Sequence, residues 1–270
     1  MGEHAAVAAV DDPVTVDRIA ANLRELGVEA GDTLLVHTSL SELGWVAGGP
    51  QAVVDALQRV VTADGTLVMP THSTQYSDPS VWSNPPVPDD WIPQIRESMP
   101  PFRPELTPSR GMGAVAECFR DYPETVRSRH PLYSFAAWGA DAESIVADHS
   151  FENAMGEASP LARVYDRDGS VLLLGADHAS NTSLHLAEYR ADLDTGRVTE
   201  TAPVLRDDER TMVEWTDIEH DSGDFPQVGA AFEKAHPEAV RQDDVGTATA
   251  KLVDQPALVD FGAEWMSDHR

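Results

Sequence analysis

The sequence has 270 residues, 41% of them hydrophobic, and is long enough to bury the core of one large domain. Its formal net charge of −27 argues against a nucleic acid partner, because phosphates are bound by Lys and Arg and only 19 such residues are present. The single cysteine excludes an intramolecular disulfide framework and predicts a reduced, cytoplasmic compartment. No run of about 18 apolar residues is present, so no membrane span is predicted.

The first part of the chain predicts alternating helices and strands. Apolar residues recur at helical spacing over 14–27, and buried strands are predicted at 32–37 and 65–70, on either side of a helix over 49–61. Strand, helix and strand in this order favour a right-handed crossover and a parallel sheet. Residues 1–12 are too acidic for a secretory signal and are predicted to be a flexible N-terminus.

Residues 71–112 contain nine prolines and show no regular hydrophobic period. A connection of this length is either disordered or functional. Aromatic residues such as Trp82, Trp91 and Phe102 argue against plain disorder. We therefore predict an ordered excursion close to the functional site.

The remaining segments complete one α/β domain. Asp207 and Asp208 separate two alternating segments, 197–205 and 210–219, which predicts an antiparallel pair. The other predicted elements are helices at 113–123, 159–168, 225–236 and 256–266 and strands at 134–139 and 170–175. No linker composition divides the chain. We therefore predict that residues 1–270 form a single domain with a mainly parallel central sheet and an antiparallel portion.

The stretch VLLLGADHASNTSLHLAEYRAD, residues 171–192, predicts a strand followed by a helix that begins near Asn181. That helix carries His185 and Glu188 three residues apart, on one face. A carboxylate beside an imidazole orients the ring and stabilises the imidazolium, which is the equipment of a general base. Sites of open α/β sheets lie at the carboxyl ends of strands, and this position favours the catalytic interpretation over an ordinary surface pair.

A zinc site is the other chemistry that these residue types allow. His72, His178, His185 and Glu188 are its candidate ligands, but the chain lacks the H-E-x-x-H spacing. It also lacks G-x-S-x-G, so no serine nucleophile is predicted.

Two glycine-containing loops, VHTSLSELGWVAGG (36–49) and RGMGAV (110–115), predict a phosphate-bearing ligand. Each loop precedes a predicted helix, where backbone N–H groups can approach a phosphate. The second loop nearly matches the R-x-x-G-x-G/A motif of histone-type acetyltransferases, but Val115 departs from it. Together the loops are stronger evidence than either alone.

Several segments resemble the aminoglycoside 3-N-acetyltransferase family, also called antibiotic N-acetyltransferases. They include LLVHTSLSELGWVAGG, GTLVMPTHS, NPPVP, TPSRGMGAVAECFR and TSLHLAEYR, and the resemblance runs from about residue 14 to about residue 266. It implies a single α/β/α domain that differs from the histone-type acetyltransferase fold. It also implies direct acetyl transfer from acetyl-coenzyme A to the 3-amino group of the 2-deoxystreptamine ring of an aminoglycoside. A histidine general base would act in this reaction, with no metal.

The resemblance assigns roles residue by residue. It implies that His185 is the base and Glu188 its partner, and that Thr71 lies near the thioester, where it could stabilise an oxyanion. The implied coenzyme A contacts are His37, Thr38, Ser39, Leu40, Leu43, Gly44, Arg110, Gly111, Met112 and Gly113. The sequence D-H-A at 177–179 and the strong acidity depart from the family pattern, so His178 inherits no role.

The negative charge suits a cationic small-molecule substrate, whose approach it favours. Candidate substrate contacts are His72, Asp78, Glu157, Asp221 and Asp224. A solvated acidic surface of the halophilic type explains the same charge equally well. An N-acetyltransferase of another amine, a zinc hydrolase and a non-catalytic coenzyme A or antibiotic-binding module are the alternative functions. A monomer and a homodimer are both compatible with the sequence.

Overall fold

In the computed structural model, which describes residues 3–8 and 10–270, nine strands form one seven-stranded sheet and one separate two-stranded sheet. The strands are β1 (Thr33–Thr38), β2 (Thr66–Pro70), β3 (Val126–Arg127), β4 (Phe135–Gly139), β5 (Ser170–Leu174), β6 (Arg197–Arg206), β7 (Glu209–Ile218), β8 (Val240–Val245) and β9 (Ala248–Asp254). The order in the large sheet is β3-β4-β2-β1-β5-β9-β8, and β6 pairs with β7.

The α-helices of the described residues cover both faces of the large sheet. They are α1 (Glu3–Ala8), α2 (Val16–Leu26), α3 (Gly49–Val61), α4 (Ile92–Ser98), α5 (Gly113–Arg120), α6 (Ala142–Val146), α7 (Pro160–Tyr165), α8 (Ser183–Arg190), α9 (Phe225–Ala235) and α10 (Gln255–His269). Residues 1, 2 and 9 lie outside the described residues, so the predicted flexibility of 1–12 stays a prediction. Across the described chain no helix combines the length and the apolar character needed to cross a membrane.

The centre of the large sheet is parallel and its flanks are antiparallel. β1 pairs in parallel with β2 and β5, while β4 and β9 join the outer sides of β2 and β5 in the antiparallel sense. All five residues of β2 are buried, as expected of a strand covered on both faces. The predicted α/β fold with a parallel centre and a separate antiparallel pair is confirmed.

Alternating side chains of the central strands enter two different cores. Leu34 and Val36 of β1 pack towards α2, α3 and α5, whereas Leu35 packs towards α7, α8, α9 and α10. This layered arrangement leaves the carboxyl ends of β1, β2 and β5 side by side at one edge.

The predicted excursion 71–112 is tied to the rest of the molecule by backbone and guanidinium contacts. Phe102 N–H donates to the carbonyl of Pro203 in β6 at 2.8 Å. Arg210 of β7 donates through Nε to the carbonyl of Met99 at 2.8 Å and through Nη2 to that of Arg96 at 2.5 Å. The excursion and the β6–β7 hairpin therefore form one connected surface layer.

The hairpin of β8 and β9 was not predicted, and its sequence explains why. Four successive residues of β8, from Arg241 to Asp244, are exposed and polar, so the strand has no apolar alternation. In β9 the buried positions 248 and 250 are alanines, which give a weak hydrophobic signal. The hairpin forms because β9 completes the antiparallel ladder along β5.

Candidate active site

The carboxyl ends of β1, β2 and β5 open onto a cavity with a volume of about 870 Å³. Its wall includes Thr38 at the end of β1, Pro70 at the end of β2 and Gly175 just after β5. This is where ligands bind in open α/β sheets, because loops diverge from strand ends there. Other wall residues are His37, Ser39, Gly111, Met112, Gly113, Asn181, Thr182, His185, Ser222, Phe225, Thr249 and Lys251.

His185 and Glu188 lie one turn apart on α8 and are hydrogen-bonded. Nδ1 of His185 and Oε2 of Glu188 are 2.5 Å apart, and their side chains are 13% and 1% exposed. Burial acts to raise the pKa of Glu188, but hydrogen bonds from His185, Arg270 and the Asp221 N–H outweigh it and lower the pKa. An ionised carboxylate only accepts hydrogen bonds, so Nδ1 of the neutral ring carries the proton and Nε2 keeps a free lone pair.

His220, which sequence reasoning missed, packs against the His185 ring with centroids 5.1 Å apart. Its Nε2 lies 2.8 Å from the Tyr189 hydroxyl, which donates to Oδ1 of Asp217 at 2.6 Å. Because the tyrosine has one proton to donate, His220 Nε2 must be the donor to the tyrosine oxygen. Burial, followed by the nearby His185, lowers the pKa of His220 to about 4, so the ring is neutral at neutral pH.

His37 projects into the cavity from β1 and is also neutral. Burial lowers its pKa to about 3, with a smaller contribution from His178. Its Nε2 lies 3.4 Å from the Thr182 hydroxyl just before α8, so β1 and the α8 turn meet at this point. Thr38 and Ser39 follow His37 along the same wall.

The loop before α5 brings backbone into the cavity wall. Gly111 and Gly113 have φ values of +76° and +85°, a region that favours glycine. A Cβ built on Gly111 would meet no atom within 4 Å, so a side chain there would extend into open space. Arg110 does not line the cavity; its N–H donates to the His72 carbonyl at 2.8 Å and its Nη2 to the Asn84 carbonyl at 3.2 Å.

Three of the predicted coenzyme A contacts lie outside the cavity wall. Leu43 is fully buried in the core because the turn directs it towards the α2–α3 layer. Gly44 packs against Val10 and Thr247, where an added Cβ would be 2.6 Å from Val10 Cγ1. Leu40 begins the short 3-10 turn that separates these two from the cavity. The structure therefore corrects the predicted roles of Leu40, Leu43 and Gly44 as contacts.

Thr71 and His72 are buried beside the cavity and not in its wall. The Thr71 hydroxyl donates to the Ser134 carbonyl at 3.2 Å and accepts from Arg127 Nε at 3.1 Å. It is therefore already occupied as a donor. Burial, then the charges of nearby histidines led by His185, lower the pKa of His72 far below its usual range. Its Nε2 is buried with no hydrogen-bond partner among the described residues.

Three of the predicted acidic substrate contacts are held by arginines. Asp78 pairs with Arg96 at 2.7 Å, Glu157 with Arg190 at 2.7 Å and Asp224 with Arg270 at 2.5 Å. Their charges are compensated within the protein, which corrects their prediction as free ammonium sites. The Asp221 carboxylate instead accepts the Gly223 N–H at 2.8 Å and has no Lys or Arg partner in the described part of the chain.

The structure also places a cation in the cavity wall that the sequence did not single out. Lys251 of β9 lines the cavity and donates to Glu233 of α9, which lies 3.1 Å from His178 Nε2. The described residues contain no group of three or more His, Cys, Asp or Glu side chains arranged to hold a metal ion. His178 is therefore an ion-pair partner in this structure.

The sequence matches the family described as aminoglycoside 3-N-acetyltransferase over residues 35–267. It is 46% identical to the SPbeta prophage-derived aminoglycoside N(3')-acetyltransferase-like protein YokD of Bacillus subtilis, over 94% of this chain and 92% of that protein. It is 37% identical to aminoglycoside N(3)-acetyltransferase VII of Streptomyces paromomycinus, over 99% and 96%.

Solved structures agree with these matches. AAC-IIIb in a binary complex with CoASH superposes with a TM-score of 0.85 at 30% identity, covering 95% of this chain and 97% of the other. AAC-VIa bound to sisomicin superposes with a TM-score of 0.84 at 33% identity, covering 96% and 99%. The resemblance found in the sequence is confirmed, and the chain belongs to the aminoglycoside 3-N-acetyltransferase family of acyltransferases.

Proposed function

We propose that the protein transfers the acetyl group of acetyl-coenzyme A to the 3-amino group of the 2-deoxystreptamine ring of an aminoglycoside. The observation that carries this proposal is the cavity-facing His185, whose Nε2 is free because ionised Glu188 holds the proton on Nδ1. The CoASH complex of AAC-IIIb and the sisomicin complex of AAC-VIa support the choice of the two substrates.

The cavity suits a thioester cosubstrate with a long, phosphate-bearing arm. Its volume of about 870 Å³ extends between the glycine loop at 111–113 and the wall at Lys251. The backbone at the glycine loop is open, and α5 begins at Gly113, so N–H groups are directed towards a bound phosphate. Acetyl-coenzyme A, when bound, supplies an acyl group activated for transfer to nitrogen.

The base is needed because the substrate amine is mostly protonated near neutral pH and must lose a proton to attack. His185 Nε2 takes that proton, and Glu188 stabilises the imidazolium. The nitrogen lone pair then forms a bond with the acetyl carbon as the carbon–sulfur bond breaks, and the thiolate takes a proton from the imidazolium. This direct route needs no acyl-enzyme. It agrees with the state of Cys118, whose pKa burial raises first, followed by the charges of Asp121 and Asp55.

The experiment is a thiol-release assay with acetyl-coenzyme A, run against aminoglycosides that contain 2-deoxystreptamine and against simple amines. We expect release that depends on the aminoglycoside, with NMR of the product placing the acetyl group on the 3-amino nitrogen. Release with only a simple amine would redirect the proposal to another amine substrate. Binding without release would indicate a binding module, and stoichiometric zinc in the active protein would favour the hydrolase alternative.

A further inference from the structure

Arg270 joins the His185–Glu188 pair to the loop that follows β7. Its Nη1 donates to Oε1 of Glu188 at 2.6 Å, and its Nη2 donates to the Asp221 carbonyl at 2.7 Å. Its Nε donates to Oδ2 of Asp224 at 2.8 Å. The side chain is 15% exposed, although the residue follows the last turn of α10. One guanidinium therefore spans the catalytic carboxylate and two points of the loop.

The packing of α10 against α8 brings Arg270 within reach of Glu188. Gly262 of α10 faces α8 so closely that an added Cβ would lie 3.0 Å from Cβ of Ala187. The backbone N–H of Arg270 donates to the Met266 carbonyl at 3.0 Å, so the helical hydrogen-bond pattern extends to this residue. The position of Arg270 is therefore set by helix packing.

The two oxygens of Glu188 have separate tasks. Oε2 holds His185, and Oε1 accepts from Arg270 and from the Asp221 N–H at 2.9 Å. A carboxylate that is 1% exposed stays ionised only if its charge is compensated. Without Arg270, one neutral N–H would remain on Oε1. Protonated Glu188 could then donate to His185 Nδ1, which would place the ring proton on Nε2 and remove the base.

We propose that Arg270 is a positioning residue that keeps Glu188 ionised and His185 in the tautomer with a free Nε2. The inference rests on the proposed function and names a further residue for it. Other titratable groups also face the pair: His220 after β7, His72 after β2 and Tyr189 on α8, with Asp224 at the start of α9 bonded to Arg270 itself. The two histidines are neutral, so Arg270 supplies the cation nearest to Glu188 in the described structure.

The test compares the pH profile of kcat/KM for the wild type, Arg270→Gln and Arg270→Lys. Loss of the guanidinium makes Glu188 easier to protonate and strengthens its hold on the imidazolium. Both effects move the acidic limb to higher pH, by about one unit or more. We expect the Arg270→Gln rate to fall at least tenfold at pH 7 and to recover at alkaline pH. Arg270→Lys, which keeps the charge, should lie between the two.

Arg59→Gln is the matched control, because Arg59 forms an exposed ion pair with Asp17 away from the cavity. It should leave both rate and profile unchanged. A second readout is the ¹⁵N shifts of the His185 ring, which report its tautomer without any catalysis. We expect Nδ1–H in the wild type and a mixture or the other tautomer in Arg270→Gln.

The two proposals fail differently in these measurements. An Arg270→Gln profile that is lowered equally at all pH values, with the tautomer unchanged, would overturn the positioning role. If Arg270→Gln does not fold, Arg270→Lys with an unshifted limb and the wild-type tautomer would overturn it as well. A wild-type protein that releases no thiol would overturn the proposed function, while the tautomer measurement would still decide the role of Arg270.

Discussion

At the scale of single residues, the site depends on which ring nitrogen carries a proton. His185 Nδ1 donates to Glu188, His220 Nε2 donates to Tyr189, and both rings lie in contact. The hydrogen-bond partner of each ring fixes its tautomer, and only His185 presents its unprotonated nitrogen from a residue in the cavity wall. Two adjacent histidines therefore have different tasks because their acceptors differ.

His185→Ala should lower turnover by roughly 10² to 10⁴, the usual cost of losing a general base. Binding of acetyl-coenzyme A and aminoglycoside should be retained, since the glycine loop and the Lys251 wall are untouched. Steady-state kinetics and calorimetry measure the two effects separately. Glu188→Gln should be the milder change if Glu188 only orients the ring. A folded His185→Ala protein with most of the wild-type rate would exclude this mechanism and direct attention to His72 or His220.

At the scale of elements, the glycine loop that leads into α5 is the clearest test of where the cosubstrate binds. Gly111→Val places a branched side chain in the open space of the cavity wall and should weaken acetyl-coenzyme A binding by calorimetry, with antibiotic binding little changed. The backbone strain of a positive φ would also lower stability.

Gly31→Val separates these two effects. Gly31 has a φ of +93°, has no atom within 4 Å of an added Cβ and does not line the cavity. Both variants should lose similar thermal stability, but only Gly111→Val should lose cosubstrate affinity. Equal affinities in the two proteins would move the phosphate contacts to the loop at 37–49.

Local patterns predicted the elements that have strong local signals, and failed where pairing partners decide the structure. The period of α3 and the apolar run of β2 were readable because burial there is continuous. The β8 strand was not, because its exposed face has no period. His185 and Glu188 were found because they are three residues apart. His220 and Arg270 reach the same site from 35 and 85 residues further along the chain, and no local signal reveals such contacts.

At the scale of the whole molecule, neutral buried histidines link stability to pH. Burial lowers the pKa of His149 to about 4 and that of His37 to about 3. The unfolded chain binds a proton at each of these residues below about pH 6.5, whereas the folded protein does not. Stability therefore falls as the pH drops from about 6.5 to about 4, by about 1.4 kcal/mol per pH unit for each such histidine.

Chemical denaturation at several pH values measures this slope. His149→Gln should reduce it between pH 6.5 and 4, while His236→Gln should not, because His236 is 43% exposed and can bind a proton in the folded state. His149 accepts from or donates to Ser128 and Ala154, so the comparison concerns the slope and not the absolute stability of the variant. Identical slopes for wild type and His149→Gln would contradict the assignment.

The net charge of −27 predicts a response to salt. Repulsion among surface carboxylates weakens as the Debye length falls to about 3 Å at 1 M salt. The thermal midpoint should therefore rise from low salt to molar KCl. Sucrose is the control for general solute effects, because it does not screen charge. A flat or falling midpoint in KCl would remove the halophilic interpretation and leave the charge as a means of attracting a cationic substrate.

The position of β9 between β5 and β8 has a consequence during synthesis on the ribosome. β5 is complete at Leu174, but its outer edge stays unpaired until β9 emerges about 70 residues later. At about 5–20 residues per second, the nascent chain exposes an apolar strand edge for several seconds. Such an edge is a binding site for chaperones and for other unfinished chains. Rare codons between 175 and 247 would lengthen this exposure and lower the soluble yield without changing the protein.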